Sequence, residues 1–151
     1  MSISLFFLLV ATLFIARSSE QHNMELWTEK QSMKPATLLK MLNDGGAKTP
    51  LIYGIVPAGL IKNSIDIVEG KIPQSVEGFR KALNQLPKDA NISICNGCCL
   101  FMDSRNMQPV FNLLNEMDFT HHHLLNLPKN LKVNWIYRGY QLNELQLTIT
   151  R

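Results

Sequence analysis

The sequence predicts one α/β domain, in which a mainly parallel sheet is covered by helices on both faces. Two observations lead to this prediction. Short apolar runs alternate along the chain with segments whose apolar residues recur at helical spacing. Without its apolar N-terminus the chain keeps about 130 residues, which is enough for one domain with a core and too few for two.

The predicted elements follow one another in an alternating series. The clearest helix covers Ser75 to Leu86, where Val76, Phe79 and Leu83 share one face and Pro87 follows the last turn. The other predicted elements are a helix at Ala36 to Leu42, strands at Pro50 to Ile55 and Ser64 to Val68, the strand that begins at Ile92, a helix at Asn106 to Met117, a strand at His121 to Leu125 and a helical turn at Val133 to Arg138. The alternating tail from Leu142 to Ile149 predicts either an edge strand or a segment packed over the core.

The N-terminus indicates export. Leu5 to Ile15 is almost wholly apolar, and the small residues of Ala16-Arg17-Ser18-Ser19 provide a cleavage region. We therefore predict a signal peptide over residues 1–19, a mature domain over 20–151, and a periplasmic or secreted protein without a membrane span after cleavage. Because the basic start of a signal peptide is missing, an uncleaved anchor is the alternative.

The net charge and the number of cysteines limit the functions that this protein could have. The formal charge of +3 is spread along the chain, with no basic tract interleaved with aromatic residues, and this argues against a nucleic-acid partner. The three cysteines cannot all pair within one chain, so at least one is a free thiol, a ligand-bound thiol or a thiol paired to another molecule.

All three cysteines lie in the run Cys95-Asn96-Gly97-Cys98-Cys99, where the strand from Ile92 gives way to a loop and then to the Asn106 helix. Such a loop aims backbone N–H groups and a helix N-terminus at its centre. Both favour negative charge, so a cysteine held there is biased towards the thiolate, which is the nucleophilic form.

The segment from Leu86 to Phe119 resembles the active-site region of a rhodanese-like group, in which the strand ends in Tyr-Cys-Gly-Cys-Cys-Pro-Phe and a Pro-Asn-Ile-Arg-Pro segment opens the next helix. The resemblance covers nearly all of the mature chain, through Trp27, Lys34-Pro35, Gly54, Pro57, Leu60-Ile61-Lys62, Leu127-Pro128, Trp135 and Gly139-Tyr140. This sequence departs from the group on the loop: Asn96 stands at the first loop cysteine, Leu100 at the proline, Ser104 at a later cysteine and Gln108 at the helix arginine.

The resemblance implies a rhodanese-like fold and sulfur transfer. Enzymes of this group use a loop thiolate to take a sulfane sulfur from a donor such as thiosulfate, and a thiol or other thiophilic acceptor then removes it from the persulfide. No cofactor or metal is implied. The partner would be a small sulfur-containing anion or a thiol acceptor.

Three cysteines compete for the catalytic role. Cys98 and Cys99 match positions of the group directly and lie within the loop. Cys95 stands at the strand end, where a one-residue slip would present it, although strand alternation favours turning it into the core. Asn96, Gly97 and Arg105 are the candidate substrate-binding residues, since Gly97 permits close backbone approach and Arg105 offers a cation for a bound anion.

Other interpretations remain open. The loop departures favour a non-catalytic binding module of rhodanese-like fold. Cys95 and Cys98 form a C-x-x-C unit that an exported protein could cycle between dithiol and disulfide, and adjacent thiolates could hold a metal ion with a distant fourth ligand. For the run from His121 to His123 we predict two exposed histidines around one packed histidine rather than a metal site, because neighbouring strand residues point to opposite faces.

Deleting residues 1–18 should leave a folded, soluble domain, because these residues have signal-like composition and the predicted α/β series begins after them. Urea unfolding of the shortened protein, followed by circular dichroism, should remain a single cooperative transition. A gradual, non-cooperative loss of signal would contradict the domain boundary.

Overall fold

The computed structural model describes residues 27–55, 61–67, 73–97, 101 and 104–143. In this part of the chain five strands form one sheet, and every neighbouring pair of strands is parallel. The strands are β1 (Ser32–Met33), β2 (Leu51–Ile55), β3 (Ser64–Ile67), β4 (Asn91–Asn96) and β5 (His121–Leu125). The helices are α1 (Pro35–Asp44), α2 (Pro73–Leu83), α3 (Gln108–Glu116) and α4 (Leu131–Asn134), with 3₁₀ turns at Glu29–Gln31, Arg105–Met107 and Ile136–Arg138. The predicted α/β fold with a parallel sheet is confirmed.

The strand order is β1-β5-β4-β2-β3, so β4 lies at the centre of the sheet. Its register aligns Ile94 with Tyr53 on β2 and with Leu124 on β5. All residues of β4 after Asn91 are buried. A strand covered on both faces has no solvent side, so even its polar residues Ser93 and Asn96 are buried.

Alternation along the strands divides the core into two layers. One layer joins Tyr53, Ile92 and Ile94 to residues of α2 and α3, among them Phe79 and Phe111. The residues of the other layer lie one position away along the same strands, and they are joined to α1, to α4 and to the turn after α4: Ile52, Cys95, Leu125, Leu38, Leu131 and Trp135. We call these the α2/α3 face and the α1/α4 face. Helices therefore cover both faces of the sheet, as predicted.

The helices begin at residues that suit a helix N-terminus. Pro35 and Pro109 each stand in the first turn of a helix, where a missing N–H costs nothing. Asn130 precedes α4, and its Oδ1 accepts a hydrogen bond from the Val133 N–H at 2.9 Å, which satisfies one unpaired donor of the first turn. Within the described residues, no helix has both the length and the apolar character needed to cross a membrane.

The histidine run differs from the prediction at one position. His121 is exposed and His122 is half-buried, with its ring edge-on to Phe111 at a centroid distance of 4.7 Å. His123, which was predicted to be exposed, is also half-buried, so the prediction is wrong there. The reason is that its face of the sheet, where it pairs with the fully buried Ser93, is covered as well.

Both covered imidazoles resist protonation. Burial lowers the pKa of His122, helped by the nearby His123 and opposed by a hydrogen bond with the Phe119 backbone. Burial also lowers the pKa of His123, with a smaller contribution from His121. The Nδ1 atoms of His122 and His123 have no hydrogen-bond partner in the described part of the chain, so a proton added there would create a buried donor without an acceptor.

Stability should consequently fall in mild acid. The unfolded chain binds protons at these imidazoles near the ordinary pKa of 6.5, whereas the folded protein takes them up only at lower pH. The contribution of the two neutral imidazoles to the free energy of unfolding is complete above pH 6.5. It is lost as the pH falls through the pKa values of the folded state. Urea midpoints measured from pH 7.5 to 5 should decrease, and the double variant His122→Gln/His123→Gln should flatten that decrease. An unchanged slope in the double variant would contradict this assignment.

Candidate functional site

The loop after β4 begins at the topological switch point of the sheet. From β4 the chain continues to β5 on one side, and from β2 it continues to β3 on the other side. The last residues of these two strands, Asn96 and Ile55, are register partners. Connections that leave neighbouring strands in opposite directions open a crevice at their carboxyl ends, and this is where open parallel sheets bind their ligands.

Asn96 fastens the start of this loop to its end. Its side chain is 3% exposed, and its Nδ2 donates hydrogen bonds to Ser104 Oγ at 2.9 Å and to Asn106 Oδ1 at 3.1 Å. An amide nitrogen carries two hydrogens, so one for each acceptor is available. Ser104 is 1% exposed, which makes the bond between Ser104 and Asn96 a buried one. The two ends of the loop are therefore held together by one side chain.

Arg105 lies between the two partners of Asn96 in the sequence, and its side chain is exposed. It begins the 3₁₀ turn Arg105–Met107, which runs directly into α3. The buried side chains of Met107 and Val110 fix this turn on the α2/α3 face. Arg105 is thus an exposed cation beside the loop, on a backbone held by buried neighbours, which suits a contact with an anion.

Cys95 lies in the core of the α1/α4 face. It is fully buried and belongs to the same cluster as Leu125 and Trp135. Burial raises the pKa of its thiol to about 12, and the negative charge of Asp66 adds to the effect. A thiol of this kind is almost entirely protonated at neutral pH, and solvent does not reach it. The structure thus gives Cys95 the surroundings of a small core residue rather than those of a nucleophile.

The other two cysteines, Cys98 and Cys99, lie outside the described residues. Gly97 is described as a half-buried bend directly after β4. Of the residues selected from the sequence, the structure therefore brings Asn96, Gly97 and Arg105 to the carboxyl edge of the sheet and directs Cys95 away from them. In the part of the chain that is described, no three metal-binding side chains come together.

The sequence reasoning missed the role of Ser104 and Asn106 as partners of Asn96. Three polar residues spaced over one loop give no sequence signal that they share hydrogen bonds. The position of Asn96 could have indicated these bonds. Asn96 ends a buried strand, and a buried amide requires hydrogen-bond partners, which the segment that crosses over it supplies.

Asn96→Ala should destabilise the protein by about 1 to 3 kcal/mol, because it removes both donated hydrogen bonds, and the one to Ser104 is buried. Arg105→Ala is the matched control, and its exposed side chain predicts a change within about 0.5 kcal/mol. Urea unfolding measures both. Equal effects of the two substitutions would show that the Asn96 bonds contribute nothing net.

Comparison with known proteins identified no relative: no family model, no curated protein and no solved structure matches the chain.

Proposed function

We propose that this protein is an exported sulfurtransferase that moves sulfane sulfur through a cysteine persulfide on the loop after β4. The observation that carries the proposal is the origin of the cysteine loop at the switch point of an all-parallel sheet, where ligand sites of open α/β folds occur. The resemblance of Leu86 to Phe119 to the rhodanese-like group supplies the reaction class.

Cys98 is the proposed nucleophile. Its thiolate attacks the sulfane sulfur of thiosulfate, a new S–S bond forms, the old S–S bond breaks, and sulfite leaves with the electron pair. A second thiophile, such as an acceptor thiolate or cyanide, then attacks the outer sulfur of the persulfide and releases the Cys98 thiolate. Neither step needs an external oxidant or reductant. Both steps need a stable thiolate and stabilisation of developing negative charge.

Three features of the described residues support these two requirements. The bend at Gly97 permits backbone N–H groups to approach a small anion without a side chain in the way. The turn at Arg105 leads into the N-terminus of α3, whose dipole favours negative charge. The exposed guanidinium of Arg105 offers a positive charge in a chain that has Gln108 at the helix arginine of the group.

A Cys95–Cys98 redox couple is less consistent with the geometry. Thiol-disulfide exchange requires attack by a thiolate on an accessible sulfur. Cys95 meets neither condition, because it is fully buried and its thiol pKa is raised to about 12. The same two facts argue against Cys95 as the persulfide carrier.

A non-catalytic binding module is the second candidate, and Asn96 is the observation that favours it. This residue occupies the place of the group's first loop cysteine, and its amide is committed to Ser104 and Asn106. An amide cannot carry a persulfide. If catalysis in the group depends on that cysteine, the loop of this protein would bind small anions without turning them over.

Mass spectrometry of the intact protein after incubation with thiosulfate distinguishes the two candidates. We expect a gain of one sulfur atom that cyanide removes. Cys98→Ser should abolish the gain and leave stability within about 1 kcal/mol, as is usual for loop residues outside the core. Cys95→Ser should retain the gain and lose about 1 to 3 kcal/mol, since it places a hydroxyl in an apolar cluster.

Cys99→Ser serves as the neighbouring control and should load sulfur normally. A sulfur adduct that disappears in the Cys95 variant and persists in the Cys98 variant would overturn the assignment of Cys98. Failure of the unsubstituted protein to take sulfur from thiosulfate or from an organic persulfide would replace the enzymatic proposal with the binding module.

A further inference from the structure

An apolar groove with a volume of 260 Å³ lies between β3 and α2, on the α2/α3 face of the sheet. Its floor is formed by Tyr53 on β2 and by Ile65 and Ile67 on β3. Tyr53 and Ile65 are register partners, so their side chains point to the same face. Ile65 is 52% exposed, which is high for an apolar strand residue next to the core. The floor of the groove can therefore be reached from solvent.

The groove is open because α2 carries small residues on this side. Ser75, Gly78 and Ala82 all line it, at spacings of three and four residues that place them on one face of the helix. A Cβ added at Gly78 would meet no atom within 4 Å. Because a larger side chain at Gly78 would occupy this space, the volume of the groove depends on the sequence of α2.

Tyr53 places a hydroxyl group in these apolar surroundings. The residue is 5% exposed, and its ring makes an edge-on contact with the ring of Phe79 at a centroid distance of 4.8 Å. Burial raises the pKa of the Tyr53 hydroxyl. Among the described residues, none forms a hydrogen bond with this hydroxyl. A buried hydroxyl without a partner costs free energy, so a ligand that accepts a hydrogen bond from it would be stabilised.

The groove offers no charge to a ligand. Asp66 is the one charged residue among the described residues that line it. Asp66 lies between Ile65 and Ile67 on β3, so alternation turns its carboxylate to the opposite face. Its charge contributes to the raised pKa of Cys95, which lies on the α1/α4 face, and this agrees with that direction. A charged ligand would lose hydration in the groove without gaining an ionic partner, which favours a neutral ligand.

We propose that this groove binds a neutral compound of one or two fused rings, whose carbonyl or ether oxygen accepts a hydrogen bond from the Tyr53 hydroxyl. An apolar cavity of about 150 Å³ holds benzene, so 260 Å³ accommodates a fused bicycle. The rings of Tyr53 and Phe79 favour an aromatic ligand, because contacts between aromatic rings add to the burial of apolar area. The site is separate from the anion site proposed on the loop after β4, since it selects against charge.

The probe for this site is 1-indanone, a neutral bicyclic ketone, and indane, the same bicycle without the oxygen, is the matched control ligand. Titration followed by NMR of the backbone amides should show saturable shifts in β3 and α2 and no shifts in β5. Tyr53→Phe keeps the ring and removes the donor. It should weaken binding of 1-indanone about fivefold, as expected for one hydrogen bond, and leave binding of indane within about twofold.

Gly78→Leu should close the groove. The added side chain enters open space, and leucine forms helices better than glycine, so the variant should remain folded. It should abolish saturable binding of both ligands. Lys81→Leu is the matched control variant, because it adds the same side chain at an exposed position of α2 that does not line the groove. It should bind both ligands as the unsubstituted protein does.

Equal weakening of 1-indanone and indane by Tyr53→Phe would overturn the proposal. Unchanged affinity of Gly78→Leu for the ligands, or the absence of saturable shifts in the unsubstituted protein, would overturn it as well. Sedimentation equilibrium tests the remaining occupant of such a groove, which is a second copy of the chain. A dimer that Gly78→Leu dissociates would show that the groove is an interface between copies and would replace the small-molecule site.

Discussion

The burial of β4 on both faces is the constraint on which the rest of the structure depends. Its side chains alternate between the two layers, with Ile92 and Ile94 on the α2/α3 face and Ser93 and Cys95 on the α1/α4 face. A shift of one residue would exchange the two sets and place the Ser93 hydroxyl among the aromatic residues of the α2/α3 face. The register of β4 is therefore fixed by packing, and with it the position at which the loop begins.

That register sets the environments of Cys95 and Asn96. Cys95 falls on an inward position of the α1/α4 face, where burial raises its thiol pKa to about 12. Asn96 falls on the other face at the carboxyl edge, where the chain that crosses above it supplies Ser104 and Asn106 as acceptors. The alternation of side chains along β4 thus places Cys95 in the core and places Asn96 where it can hold the ends of the loop.

Much of the fold could be predicted because its elements have strong local patterns. The strand His121–Leu125 has the bounds that were predicted. Of the strand predicted at Ser64 to Val68, Ser64–Ile67 is confirmed, and Val68 lies outside the described residues. The helix predicted over Ser75 to Leu86 instead covers Pro73–Leu83. Leu86 still packs against the core, but it does so from the turn that follows the helix, so its apolar character extended the pattern beyond the helix end.

Other features depend on tertiary contacts that local patterns do not carry. The two-residue strand Ser32–Met33 is too short for any periodicity, and it exists because β5 offers a free edge. The half-burial of His123 depends on what covers its face of the sheet. The Asn96 bonds depend on the return of the chain after the loop. Each of these features is set by a neighbour that is distant in sequence.

The hydrogen bonds of Asn96 also hold together the two ends of the loop after β4. Ser104 lies eight residues after Asn96, and closing a loop of that length costs conformational entropy. The hydrogen bond from the buried Asn96 amide to Ser104 offsets part of this cost in the folded protein. A cysteine at position 96 would supply a nucleophile but only a weak donor, so it could not replace both bonds. At the end of β4, asparagine therefore holds Ser104 and Asn106 with one side chain, which a cysteine at the same position could not do.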